Sequence, residues 1–242
     1  MSYFIYNGTK SSDLGVFIQS KNIYSSPKYD ASLISIPGRN GDLISPGGRF
    51  GNASVSYTCF VSAKTIEELS DKMTAVKAWL YKEPGEYHDL SDSYDTKFKR
   101  SAFFNSKLDI ADEAKKIGTF TVTFSCMPQR YLIESLTIEA HTTSFSVSNP
   151  YPLNAKPYIK ISGSGNVSFA IQSGGTNRIW NIKDVDGYIE CDSELMNFYK
   201  GTTPKNDTVT GTGFPTFLPG NNTVSFGGGI TSVDIIPRWQ TL

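Results

Sequence analysis

Apolar and polar residues alternate along much of this chain, and that period of two constrains its fold more than any other feature. The clearest example is the segment 53–61, in which one side is formed by Val55, Tyr57, Cys59 and Val61. Such alternation is typical of a β-strand with one buried face. A helical period occurs convincingly in only one segment, near residues 65–80. The sequence therefore predicts a mainly β fold with one α-helix.

The predicted helix has signals at both ends. Thr65 can cap its N-terminus, Glu68 stands at the capping-box position, and Pro84-Gly85 ends it. The residues that recur at helical spacing are Ile66, Leu69, Met73, Val76, Trp79 and Leu80. This apolar stripe predicts that the helix packs on a sheet.

After the helix the pattern returns to strands. Segments 98–108 and 118–127 are predicted to form a hairpin pair, with a polar insert at 109–116 and an end at Pro128. From Gln129 onward the chain has short strand patterns and turns rich in Gly, Asn and Ser. The candidate strands are 145–147, 158–161, 167–172, 178–182, 188–191, 195–199, 223–226 and 233–236. Asp184–Gly187, Pro219–Asn222 and Gly227–Gly229 are interpreted as turns, so we expect a second, all-β domain with a sandwich or jelly-roll fold.

One glycine-rich segment interrupts the alternation. Residues 34–50 contain Pro37-Gly38, Asn40-Gly41 and Pro46-Gly47-Gly48, which predict an ordered loop. The residues it offers for contacts are Arg39, Asn40, Asp42 and Arg49. Because guanidinium groups pair well with carboxylates on a neighbouring surface, these are candidate interface residues. The alternative is an ordinary connection between strands with solvated charges.

Composition excludes several classes of function. With 23 basic and 23 acidic residues the formal charge is zero, which disfavours specific nucleic-acid binding and attachment to an anionic membrane. No apolar run is long enough for a membrane span, and the first residues lack the basic region and apolar run of a signal peptide, so we expect a soluble, non-secreted protein. Three distant cysteines, Cys59, Cys126 and Cys191, are expected to be buried free thiols.

The residues that could carry catalysis or bind metal do not form a recognised motif. His88 and His141 are the only histidines, and neither lies in a nucleophile or metal-helix motif. Asp192 and Glu194 could serve a glycosidase, although such pairs are usually a solvated rim. Asp89, Asp92 and Asp95 lack the spacing of a calcium loop. We therefore predict no catalytic residues, no metal site and no cofactor.

Aromatic residues in the second half raise a competing hypothesis. Trp180, Tyr188 and Trp239 could form a platform on which sugar rings stack, which would make the protein a carbohydrate-binding module that recognises cell-wall saccharides. At alternating positions of a sandwich, the same aromatic residues are more often part of the core. From the residues alone, both interpretations remain.

The order of several motifs resembles the distal tail protein (Dit) family of long-tailed, siphovirus-type bacteriophages and prophages. In the first half the motifs are Phe4-Ile-Tyr-Asn-Gly8, Ser11-Ser-Asp-Leu-Gly-Val16, Ile36-Pro-Gly-Arg-Asn-Gly-Asp-Leu43 and Trp79-Leu80 ahead of Pro84-Gly85. In the second half they are Phe124-Ser-Cys-Met-Pro128 with Tyr131, Pro157–Gly163, Tyr188–Asp192 and Phe217–Asn222. The resemblance covers essentially the whole chain.

This resemblance implies a fold and a role. Residues 1–133 would form a β-barrel-like belt domain with one helix, and residues 134–242 a galectin-like β-sandwich. Six belts would form a ring, possibly stacked on a second ring, at the distal end of the phage tail, after assembly in the host cytoplasm. Its partners would be the tail tube protein, the tail-associated lysin or fibre protein, and receptor-binding proteins. DNA would pass through the ring without specific binding, and the protein would not be an enzyme.

Overall fold

A computed structural model describes residues 2–113 and 116–242, with the backbone only at 112 and 113. The chain divides into two compact units. The first runs to Arg130 and includes Leu242, and the second comprises Tyr131–Thr241. The division lies near residue 133, where the sequence resemblance sets its domain boundary. Within the described residues, no helix is both long and apolar enough to cross a bilayer.

The described residues of the first unit form ten strands and one α-helix. The strands are β1 (Phe4–Tyr6), β2 (Thr9–Lys10), β3 (Val16–Asn22), β4 (Tyr29–Ile34), β5 (Leu43–Phe50), β6 (Ala53–Ser62), β7 (His88–Asp92), β8 (Phe98–Phe104), β9 (Ile110–Glu113) and β10 (Ile117–Leu132). The helix α1 spans Ile66–Leu80, and a short 3-10 helix spans Ser11–Leu14. The mainly β character and the helix predicted from the sequence are thus confirmed.

The main sheet of this unit curls around its core. Its strand order is β2-β1-β7-β8-β10-β6-β3, and β9 adds to β10. Ser11 links the two ends of the sheet, because its hydroxyl accepts from the Phe4 N–H at 3.2 Å and donates to the Val16 carbonyl at 3.1 Å. The Ile18 N–H also donates to the Ser2 carbonyl at 3.2 Å. These bonds draw β1 towards β3, which gives the sheet its barrel-like curvature.

Helix α1 covers one face of this sheet. The Thr65 hydroxyl accepts from the Glu68 N–H at 3.1 Å, which is the predicted cap. Trp79 lies in the core, and its indole N–H donates to the Tyr6 carbonyl at 3.0 Å. Ile66, which the periodicity assigns to the apolar stripe, is 54% exposed because it begins the helix before the first turn reaches the sheet.

Two details of the first unit differ from the prediction. Residues 34–50 are not one loop, because 43–50 form β5 and pair with β4. Pro128 does not end its strand either, since β10 continues to Leu132. Pairing of β10 with β6 stops at Cys126, so Pro128 removes no hydrogen bond from that ladder. The insert at 109–116 contains β9, and its residues 114–115 lie outside the described part of the chain.

The second unit consists of β-strands and two short 3-10 helices. The strands are β11 (Glu139–His141), β12 (Phe145–Asn149), β13 (Tyr158–Ser173), β14 (Thr176–Asp192), β15 (Asn197–Lys200), β16 (Thr203–Pro204), β17 (Val209–Gly211), β18 (Gly220–Ile236) and β19 (Gln240–Thr241). The 3-10 helices span Ile133–Leu136 and Asn206–Thr208. The strand order is β11-β18-β13-β14-β15-β16, with β12 on β18 and β17 on β14.

In the second unit, three long strands, β13, β14 and β18, take the place of six short ones predicted from the sequence. The six were 158–161, 167–172, 178–182, 188–191, 223–226 and 233–236. Asp184–Gly187 and Gly227–Gly229 are not hairpin turns but irregular positions inside β14 and β18. They lie beside the register shift of β13 between Gly163 and Val167. A Cβ at Gly163 would collide with the Gly229 carbonyl oxygen, so glycine is required where these backbones approach.

This line of irregular positions lets the sheet fold over its own core. Ile159 and Ile161 precede the shift in β13, Phe169 and Ile171 follow it, and all four belong to one buried cluster. The sandwich-like packing therefore comes from long strands that bend and contribute to both layers, as bulges and glycines allow.

Candidate assembly interface

The hairpin formed by β4 and β5, residues 29–50, is a separate two-stranded sheet in the first unit. It pairs with no other strand among the described residues. In its register Leu33 faces Ile44 and Ile34 faces Leu43. Because a two-stranded hairpin is only marginally stable in water, such an element usually needs a further surface to pack against.

The hairpin instead leaves large apolar side chains in solvent on both of its faces. Leu33 is 67% exposed and its cross-strand neighbour Ile44 is 64% exposed. On the opposite face Ile34 is 47% exposed and Leu43 is 43% exposed. Ile36, at the start of the turn, is also exposed. A concentration of exposed aliphatic side chains on a paired strand edge is typical of a surface that another protein covers.

The base of the hairpin is fixed to the body of the first unit. Ile23 is buried, and its carbonyl accepts from the Arg100 guanidinium at 2.9 Å. Burial lowers the pKa of Arg100, but a guanidinium remains charged at any physiological pH. The Gly51 N–H donates to the Lys28 carbonyl at 2.9 Å, which closes the base. The hairpin is thus held at one end and exposed along its length.

The four interface residues predicted from the sequence all lie on this hairpin, but they do not form one cluster of interacting side chains. Arg39, Asn40 and Asp42 are exposed in the turn between the strands. Within the described residues, neither Arg39 nor Asp42 forms an ion pair. Arg49 lies on β5, and its Nε donates to Asp30 on β4 at 2.8 Å. Arg49 therefore already has a partner in its own hairpin, whereas Arg39 and Asp42 are free to bind elsewhere.

The apolar residues of the hairpin are the part of the site that the sequence analysis missed. Leu33 with Ile34 and Leu43 with Ile44 are adjacent apolar pairs that place one aliphatic side chain on each face of the hairpin, so they lack the period of two by which a strand is recognised in sequence. Gly47 lies against Asp30, where a Cβ would approach the Asp30 carbonyl oxygen to 2.8 Å, a contact that only the fold reveals. That close approach of two backbones indicates a pair of strands.

The three aromatic residues proposed as a sugar platform are not presented together on a surface. Trp180 is fully buried and stacks on Phe169 with ring centroids 5.0 Å apart. Trp239 is also buried and packs against Phe217. Tyr188 is half-buried, with the Lys160 ammonium 4.7 Å from its ring centroid. Two of the three aromatic faces are thus occupied by the core.

The acidic pair considered for catalysis has a structural partner. The Arg238 guanidinium donates two hydrogen bonds to Asp192, at 2.8 and 2.9 Å, and lies 3.7 Å from Glu194. Burial opposes ionisation of Asp192, but the bonds from Arg238 and from the Leu195 N–H outweigh it and lower the Asp192 pKa. Glu194 accepts from the Tyr131 hydroxyl at 2.7 Å. Both carboxylates are therefore tied into a fixed network.

Burial raises the pKa of each of the three cysteines, Cys59, Cys126 and Cys191, to about 12. All three are free and buried, as the sequence predicts. A thiol with this pKa is protonated at neutral pH and is a poor nucleophile or metal ligand. Among the described residues there is also no group of three His, Cys, Asp or Glu side chains that could hold a metal ion.

Comparison with known proteins defines the class of fold. No protein-family model and no curated protein sequence matches the chain. Among solved structures, the chain has the fold of a bacteriophage tail-hub protein, which confirms at the level of fold the resemblance found in the sequence.

One solved structure that it resembles along its whole length is the Dit protein (gp 19.1) of phage SPP1. The match has a TM-score of 0.78 at 13% identity and covers 100% of both chains. That protein is described as a paradigm of the hub adsorption apparatus in phages that infect Gram-positive bacteria. Structures of the phage p2 baseplate also match, with TM-scores of 0.49 and 0.48 at 8% and 9% identity, over 97% and 98% of this chain and 98% and 97% of theirs.

Proposed function

We propose that this chain is a structural subunit of a phage tail tip, where six copies form a ring that acts as the hub of the adsorption apparatus. The fold likeness to the SPP1 Dit protein over the full length of both chains supports this role. The observation that carries it in this chain is the hairpin of residues 29–50, which exposes apolar side chains on both faces. A hub has no need of a catalytic centre, so we propose a non-enzymatic role.

We propose a second copy of the same chain as the protein that covers the hairpin. In a ring each subunit presents two different complementary surfaces, one to each neighbour. The hairpin is one such surface, because its fixed base and exposed length suit it to lie along an adjacent subunit. Its two apolar faces allow contact on both sides, and Arg39 and Asp42 at its tip supply charges that are unpaired within the described residues.

The finer features of the role follow from the same proposal. Residues 1–133 would form the belt that makes the ring, and residues 134–242 a galectin-like sandwich. The ring would connect the tail tube to the tail-associated lysin or fibre protein and to receptor-binding proteins, at the distal end of the virion tail. With zero net charge the chain is suited to let DNA pass, since a strongly basic wall would bind phosphates.

Immunogold electron microscopy of virions that contain this chain tests the role in the assembled particle. Antibodies raised against the purified protein should label the tail tip, opposite the capsid. Labelling along the tail shaft or at the capsid would contradict the hub proposal. No observation on the structure favours the carbohydrate-binding alternative, because Trp180 and Trp239 are buried.

A further inference from the structure

A second feature of the chain lies outside the proposed ring interface. In the second unit, a cavity of about 90 Å³ opens beside β14. Its lining includes Lys183, Lys200, Lys205, Val185, Ile189 and Tyr188. Since a water molecule needs roughly 10–15 Å³ of such volume, the cavity has room for a group the size of several waters.

Three ammonium groups and two carboxylates line this cavity. Lys200 is neutralised in part by Asp186, whose carboxylate lies 3.2 Å from its Nζ. Lys183 and Lys205 have no carboxylate partner among the described residues. The only other acidic side chain that lines the cavity is Asp184, and no arginine does so. The lining residues therefore carry an excess of positive charge, and two of its ammonium groups are available to a ligand.

Tyr188, which lines the cavity, contacts one of its lysines. The Lys200 Nζ lies 5.4 Å from the centroid of the Tyr188 ring, and the Nζ of Lys160, which does not line the cavity, lies 4.7 Å from it. The negative face of the ring attracts cations, which helps to hold Lys200 near the cavity.

The backbone that carries the two unpaired lysines is fixed rather than free. Asp184, beside Lys183, has φ of 52°, a value that is uncommon for a residue with a side chain. Its N–H donates to the Asn166 side chain at 3.1 Å, which maintains this conformation. The Lys205 N–H donates to the Phe198 carbonyl at 2.7 Å, and the Thr208 hydroxyl donates to the Lys205 carbonyl at 2.8 Å. Both lysines thus extend from constrained positions.

We propose that this cavity binds the phosphate group of a small phosphorylated compound, with Lys183 and Lys205 as its principal contacts. Lysine ammonium groups bind phosphate as point charges, whereas carboxylates are best recognised by the paired donors of arginine, which is missing from the lining. The buried side chains of Val185 and Ile189 form an apolar floor that limits access of water to the bound oxygens.

Titration with glycerol 3-phosphate tests this proposal, monitored by amide chemical shifts of the second unit. Saturable shifts that are confined to residues 183–208 and their neighbours are expected, and they should weaken as salt concentration rises. Lys205→Gln and Lys183→Gln should each weaken binding about tenfold, equivalent to about 1.4 kcal/mol. Lys205→Arg, which keeps the charge, should retain most of the affinity. Thermal unfolding of each variant verifies that it is folded.

Lys156→Gln provides the matched control, because Lys156 is an exposed lysine of the same unit outside the cavity. It removes the same charge and should leave the affinity unchanged. Equal weakening by this control would show that the phosphate binds through net charge alone and would overturn the proposal. Absence of saturable shifts at millimolar ligand would also overturn it. A parallel titration with a glycerol phosphodiester distinguishes the source: binding of the diester indicates a polymer linkage, and binding of the monoester alone indicates a free metabolite.

Discussion

Replacing the two most exposed aliphatic residues of the hairpin tests whether its apolar surface drives assembly. In the double variant Leu33→Thr/Ile44→Thr, a cross-strand apolar pair becomes polar while β-propensity is retained. These side chains are 67% and 64% exposed, so most of their apolar surface is available for burial by a neighbour. The isolated subunit should unfold at nearly the same temperature, because it makes little use of that surface.

The magnitude follows from the area that remains exposed. Full burial of a Leu or Ile side chain contributes roughly 1.5–3 kcal/mol, so two-thirds of it contributes about 1–2 kcal/mol per residue. The double substitution should therefore weaken the free energy of association at each interface by about 2–4 kcal/mol. This raises the subunit dissociation constant about 30-fold to several hundred-fold. Sedimentation velocity over a concentration series measures the shift, and circular dichroism melting verifies the fold.

The matched control removes equally exposed aliphatic side chains elsewhere. Ile138 is 65% exposed and Leu195 is 71% exposed, and both belong to the second unit and not to the hairpin. The variant Ile138→Thr/Leu195→Thr should assemble like the original protein. If the hairpin variant assembles equally well, or if the control loses assembly to the same extent, the hairpin is not the interface and the reasoning is refuted.

Four further predictions use other residues. Arg39→Glu should weaken assembly in sedimentation while changing the melting free energy by no more than about 0.5 kcal/mol, and lowered melting with intact assembly would contradict this. Asp192→Asn should destabilise the protein by about 1.5–3 kcal/mol in urea unfolding near neutral pH, because it removes the charge-assisted hydrogen bonds from Arg238, which still has Glu194 3.7 Å away. Since the folded pKa of Asp192 is lowered, this stabilisation is present above about pH 4 and is lost as pH falls further. Equal destabilisation in strong acid would be evidence against the ion pair. The three cysteines should be unreactive to Ellman's reagent at pH 8 until denaturant is added, and rapid labelling of the native protein would contradict their burial. The fragment 131–241, whose apolar cluster lies wholly within residues 132–239, should fold and melt cooperatively alone, and a broad, non-cooperative melt would argue against an independent domain.

The features that the sequence predicted best are those set by local chemistry. The helix from Ile66 to Leu80 was predictable because a cap, a periodic apolar stripe and a Pro-Gly stop all agree. The strand at 53–62 and the burial of Cys59 were predictable because alternation there is uninterrupted. In each case the pattern that predicts the element lies within residues that are close together in the sequence.

The features that could not be predicted from the sequence depend on backbone contacts between residues far apart in the chain. Gly163 and Gly229 resemble turn residues in sequence, but their role is to let two strands approach at a bend, which only the fold reveals. Trp180 looks the same in a core as on a sugar platform until the opposite layer of the sandwich is in place. The hairpin was interpreted as a loop because proline and glycine interrupt β5, and its pairing with β4 is apparent only from the register.

The mass of the purified protein assembly tests most directly the proposal that six copies of this chain form a ring. Native mass spectrometry over a range of protein concentrations should detect a species of six subunits, about six times the 26.6 kDa of one chain, which the Leu33→Thr/Ile44→Thr variant should lack. A protein that remains monomeric at every concentration, and that also fails to form a ring in the presence of its tail partners, would contradict the assignment of this chain as a ring-forming hub.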